Sequence, residues 1–141
     1  MNDSPAPTPP TDPTSTRRET AAKVLLWLAA AGAAVAALSS IPAVLDAGSA
    51  TKIVETWRGY GFVVFAGLFA LLALRPHGYR GVWELVIFHK VALTLTAVVF
   101  AVQGGVDDTA TVIVGDGILS VLLVLAYVLA RGWLSPDRAR G

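Results

Sequence analysis

The sequence predicts an all-α fold: four transmembrane helices in an antiparallel, up-and-down bundle with short loops, preceded by a disordered N-terminal tail. Three observations predict it. Hydrophobic residues make up 55% of the 141-residue chain and charged residues only 15%, against about 25% charged in soluble domains; mean hydropathy is +0.63. Four apolar runs each approach the ~20 residues that a helix needs to cross hydrocarbon. Between the runs, glycine, proline and charged residues collect in short clusters, which is where a chain turns.

Residues 1–20, MNDSPAPTPPTDPTSTRRET, hold five of the eight prolines. So polar a stretch buries too little apolar surface to offset its chain entropy, so disorder is expected. Arg17, Arg18 and Lys23 then precede the run Val24 to Leu45. The order of charges followed by an apolar run also fits a signal peptide. At 22 residues the run is longer than an h-region of about 7–15 residues, and Arg17-Arg18 lacks the apolar pair that follows a twin-arginine signal. A retained helix over about 23–45 is therefore expected. Its Ala29, Gly32, Ala33, Ala36 and Ala37 have the small-xxx-small spacing that lets helices approach closely in lipid. Pro42 is expected to kink or end it.

Helix 2 is expected at about 57–74, with Phe62, Phe65 and Phe69 at helical spacing as a packing stripe. The breaker-rich connection Arg75-Pro76-His77-Gly78-Tyr79-Arg80-Gly81 leads into helix 3 at about 82–102. The turn Gln103-Gly104-Gly105-Val106-Asp107-Asp108 leads into helix 4 at about 109–130. Residues 21–133 thus form one four-helix domain, and 134–141 a polar tail.

Charge sorting sets the orientation. Arg17, Arg18, Lys23, Arg75, Arg80, Arg131, Arg138 and Arg140 fall on one side, and only Lys52 and Arg58 on the other. By the positive-inside rule both termini and the loop after helix 2 are expected in the cytoplasm of a cell-membrane protein. Trp27, Tyr79, Trp83 and Trp133 lie near that side and Trp57 and Tyr60 near the opposite one, as an interfacial aromatic belt requires.

Ionisable side chains inside a span need partners or water and so are candidates for function. Helix 3 carries Glu84, His89 and Lys90; helix 4 carries Asp116. At about 100° per residue, His89 lies roughly 140° from Glu84 and Lys90 about 100° further round, so the three do not share a face. Glu84, close to the helix start, is expected to reach the interface or pair with Arg80 one turn earlier. His89 is expected to be a hydrogen-bonded packing residue. Lys90 and Asp116 lie about 15 Å and 22 Å from the cytoplasmic side by helical rise, an offset that a lysine side chain spans. They are the expected ion pair across helices 3 and 4. Thr109, Asp116, Ser120 and Tyr127 lie within about 40° of one another on helix 4. Gly115 and Gly117 flank the acid, leaving room for a backbone, water or a small solute.

Other chemistries lack their residues. With no cysteine, thiolate, iron–sulfur and cysteine–zinc chemistry are excluded. No G-x-G-x-x-G or G-x-x-x-x-G-K-[ST] loop occurs, and no second histidine lies at depth to make a bis-histidine haem with His89. No catalytic residue, cofactor or metal is expected. The absence of a basic stripe argues against nucleic acid as a partner. The expected partners are the lipid bilayer and either further copies of the chain or another membrane protein, for a non-enzymatic interaction or accessory subunit. The alternative is a proton-linked carrier or channel using Lys90, Asp116 and the stripe of helix 4.

Overall fold

A computed structural model describes residues 13–133, apart from the side chains of Pro13 and Arg80. The expected tails at 1–12 and 134–141 lie outside the described residues. Four helices follow one another: α1 (Pro13–Asp46), α2 (Lys52–Leu74), α3 (Arg80–Gln103) and α4 (Thr109–Ala130). No strand occurs among the described residues, and each of the four helices is long and apolar enough to cross a membrane.

Helix α4 has the expected bounds, whereas the others start earlier than hydropathy alone suggests. Helix α1 begins at Pro13, so residues 13–20, expected to be disordered, are helical. Local pairs account for this: Lys23 bonds Glu19 one turn back at 2.8 Å, and the Thr20 hydroxyl donates to the Thr16 carbonyl at 2.9 Å. The i, i+4 ion pair supports a polar helix by roughly a few tenths of a kcal/mol, while the back-bond satisfies the hydroxyl without adding to that support. Helix α2 starts at Lys52, with Glu55 in its first turn, where a carboxylate faces the positive end of the helix dipole. Pro42 does not end α1, which runs on to Asp46. The proline removes one backbone donor, and α1 continues past the gap.

The connections 47–51, 75–79 and 104–108 are five residues each. The last opens with Gly104 and Gly105 at φ 75° and 80°, a region closed to most side chains. Around the bundle α1 lies against α2 and α4, and α3 against α4, while α2 and α3 meet only slightly. The α1–α2 contact is the most extensive, and small residues make it so. Ala29, Ala30 and Ala33 are buried, and a Cβ on Gly59 would come 2.9 Å from Ser40 Oγ. Gly32, expected on the same face, points away, with nothing within 4 Å of its Cβ position.

Burial is uneven along the bundle axis. The main apolar cluster draws on Ala22 to Ala33 of α1, Phe69 to Ala73 of α2, Trp83 and Val86 of α3, and Leu123 to Ala130 of α4. All of these lie in the half that carries the 75–79 connection. In the opposite half, among the described residues, only Ser40 and Ala97 are buried.

Candidate functional site

The six candidate residues resolve into two separate pairs and two single groups. The deeper pair is the expected one: Lys90 Nζ donates to Asp116 Oδ1 at 2.6 Å, with the two side chains only 5% and 15% exposed. A third helix joins it, since the Phe65 ring of α2 lies 4.3 Å from the ammonium, close enough for a cation–π attraction. The pair therefore ties α3 to α4 and touches α2 at the level where the buried core ends.

The hydroxyls around this pair are turned inward to their own helices. Ser120 donates to the Asp116 carbonyl at 2.7 Å, and Thr94 donates to the Lys90 carbonyl at 2.8 Å. Such back-bonds satisfy a hydroxyl where no water is at hand. Of the flanking glycines, Gly117 faces α3, where a Cβ would stand 3.6 Å from the Thr94 methyl, whereas Gly115 has open space around it. One glycine is thus used for helix approach and the other is not.

His89 shares the Phe65 ring with Lys90 but makes no hydrogen bond to the pair. Its ring rests on Phe65, centroids 4.6 Å apart and tilted by 45°, on the sparsely packed side between α2 and α3. The expected hydrogen-bonded packing role is replaced by an aromatic one; no hydrogen bond of His89 occurs among the described residues.

Glu84 and Tyr127 form the second pair, the tyrosine hydroxyl donating to Glu84 Oε1 at 3.3 Å. The alternative expected partner, the side chain of Arg80, lies outside the described residues. Tyr127 belongs to a ring cluster that the sequence did not reveal. Trp83 meets Tyr127 edge-on at 5.5 Å, and Trp133 meets its other side at 5.7 Å. Trp83 was expected in an interfacial belt, but it is fully buried, its indole N–H donating to the Pro76 carbonyl at 2.8 Å. His77 Nε2 donates to the Ala130 carbonyl at 2.7 Å, a cap on the last turn of α4. These two bonds fasten the 75–79 connection to α3 and α4. Their only sequence signal was the proximity of an aromatic and a histidine to a breaker-rich turn.

The end of α4 is shaped to fit this cluster. Arg131 is left-handed at φ 50°, ψ 47°, Gly132 N–H donates to the Tyr127 carbonyl at 2.9 Å and Arg131 N–H to the Val128 carbonyl at 3.2 Å. This is the Schellman arrangement, in which glycine normally takes the left-handed place. Here glycine stands one residue later because a Cβ on Gly132 would run into the Tyr127 ring and approach Trp83 Nε1 at 3.3 Å. Gly132→Ala is therefore expected to destabilise the protein by about 2 kcal/mol, as overpacking does. Arg131→Gly is expected to stabilise it by about 1 kcal/mol by relieving the left-handed backbone. Thermal unfolding of both variants in a neutral detergent gives the two signs.

No group of three or more His, Asp or Glu close enough to hold a metal ion occurs among the described residues. No family model, curated protein or solved structure matches the chain.

Proposed function

We propose that this chain is a multi-pass protein of the cell membrane, both termini cytoplasmic, that works as a non-enzymatic interaction or accessory subunit. Its partners on this reading are further copies of itself or another membrane protein. Large apolar side chains stand exposed on every helix, among them Leu28, Val63, Phe88 and Val121. A surface of that kind is unfavourable in water and favourable against lipid tails. At about 1.5 Å per residue, the 34-residue α1 is about 51 Å long and outreaches a hydrocarbon core of ~30 Å. Its basic N-terminal turns would then stand in the cytoplasm, beside Arg75 and Arg131.

The observation that carries the interaction reading is the one-sided core. The cytoplasmic half is packed and bonded within the chain, whereas the outer half offers four helices with little internal burial. Helices in lipid associate through packing and through polar contacts satisfied between them, and the outer half leaves that packing to be completed from outside. The experiment is crosslinking of the full-length protein in its native membrane, followed by mass determination. A defined species larger than the monomer supports the reading, and an exclusively monomeric chain refutes it.

The same asymmetry favours one second reading, a proton-linked carrier, because the Lys90–Asp116 pair lies where the packed half gives way to the loose one. Proton flux into liposomes, followed with a trapped pH dye, separates the two. The interaction reading expects flux no greater than in empty liposomes, both for the unmodified protein and for Asp116→Asn. Flux that the protein supports and Asp116→Asn abolishes establishes the carrier.

A further inference from the structure

An open groove of about 540 Å³ runs along the outer surface between α3 and α4, from the level of Glu84 in the packed half to Leu95, just past the level of Lys90. Its walls are apolar, with Phe88, Ala92 and Leu95 of α3 and Val124 of α4 among them, and the Glu84–Tyr127 pair lies at one end. The eleven-residue separation of Glu84 and Leu95 makes the groove about 16 Å long at ~1.5 Å per residue. That is close to half of a ~30 Å hydrocarbon core, the depth of one leaflet. The volume falls within the ~300–1,000 Å³ usual for small-molecule sites.

The polar end decides which molecule fits. Tyr127 donates to Glu84 Oε1 and so holds the carboxylate at the head of an apolar slot, one turn below the start of α3. A carboxylate is acceptor-only, and its strongest partner is a charged N–H donor. A phospholipid tail in this slot would bring the headgroup phosphate to the carboxylate before any amine, placing like charges together. A second copy of the chain in a parallel pair would face Glu84 with Glu84. A single-chain molecule whose ammonium is attached directly to its tail brings the opposite charge to the right level and fills the slot below it.

From this groove we infer a binding site for a lipophilic primary ammonium ion, its nitrogen on Glu84 and its chain along Phe88, Ala92 and Leu95. The inference rests on the membrane placement proposed above and goes beyond the interaction role, which concerns the opposite half of the bundle.

The test is equilibrium dialysis of radiolabelled dodecylammonium against the full-length protein in phosphatidylcholine nanodiscs, with empty nanodiscs subtracted. Dodecanol serves as the neutral probe of equal length. Saturable binding of one dodecylammonium per chain is expected, with no saturable binding of dodecanol. Glu84→Gln keeps the shape and the bond from Tyr127 while removing the charge, and is expected to weaken binding about tenfold or more, as loss of a charge-assisted bond does. Ala92→Phe fills the slot from an accessible position and is expected to weaken it similarly. Saturable dodecanol binding equal to that of the amine would make the groove a site for any chain, and undiminished binding in Glu84→Gln would remove the carboxylate from it; either result overturns the inference. So does displacement of dodecylammonium by phosphatidylethanolamine in the discs, which would make a resident lipid the occupant. Failure of the chain to enter nanodiscs would overturn the membrane placement itself, whereas entry without Glu84-dependent binding overturns only this site.

Discussion

Lys90→Met alone and Asp116→Leu alone are each expected to destabilise the protein by about 3 kcal/mol, while the double variant regains most of the loss. The two side chains meet at 2.6 Å and are 5% and 15% exposed, so removing either leaves the other charge largely buried without its partner. Breaking a buried pair in this way typically costs about 3–5 kcal/mol, whereas replacing both partners by apolar residues of similar volume is often neutral. The Lys90 ammonium also lies over Phe65, a contact that persists in Asp116→Leu but falls short of a carboxylate. Thermal unfolding of the four proteins in detergent near neutral pH closes the cycle, and the coupling energy isolates the pair from everything else that each substitution disturbs. Small and simply additive effects would mean that each charge is satisfied by water or by a solute, and the carrier reading would gain accordingly.

The second large effect is expected at Trp83. Trp83→Ala is expected to cost about 3–5 kcal/mol, the range for emptying a buried aromatic site. The indole is fully buried, packs edge-on to Tyr127, borders Gly132 and donates to the Pro76 carbonyl. Trp83→Phe removes the donor and leaves a smaller ring, so it loses the hydrogen bond, worth about 1 kcal/mol net, together with a cavity cost, and is expected to fall between the unmodified protein and Trp83→Ala. The control is Trp57→Ala, at a position 78% exposed on α2 and expected to be near neutral. Equal losses at Trp57 and Trp83 would show that both tryptophans act as interfacial anchors, and that the ring cluster around the 75–79 connection does not hold the bundle together.

How far the site was legible in the sequence depended on the kind of information each residue needed. The Lys90–Asp116 pair was legible because charge is scarce in the apolar runs: one cation and one anion at compatible depths leave few other solutions once water is absent. Tyr127 and Ser120 were legible only as members of a polar stripe. Helical angle places them on one side of α4, but it does not say that Ser120 turns back to its own helix or that Tyr127 bonds Glu84. Trp83 was misplaced because interfacial and buried tryptophans share the same depth along the axis, and rotation toward a neighbour separates them. Gly132 and Arg131 were silent, since nothing local indicates that a ring from the previous turn will occupy the space of a missing side chain. The early start of α1 was obscured by proline and polar composition in residues 13–20, where short-range pairs such as Glu19–Lys23 sustain the helix.

The sequence alone determined the number of helices, their approximate extents and the sorting of charge to one side, because these depend on runs of residue type that a bilayer-length ruler can measure. The tertiary structure decided which faces meet: that α1 and α2 close tightly while α2 and α3 hardly touch, that the main apolar cluster fills the half beside the 75–79 connection, and that six polar candidates divide into two pairs and two single groups rather than one cluster. Residue type fixes how deep a side chain lies along a helix of constant rise. The direction in which it points depends on the rotation of each helix against its neighbours, and that is set by the packing of all four together.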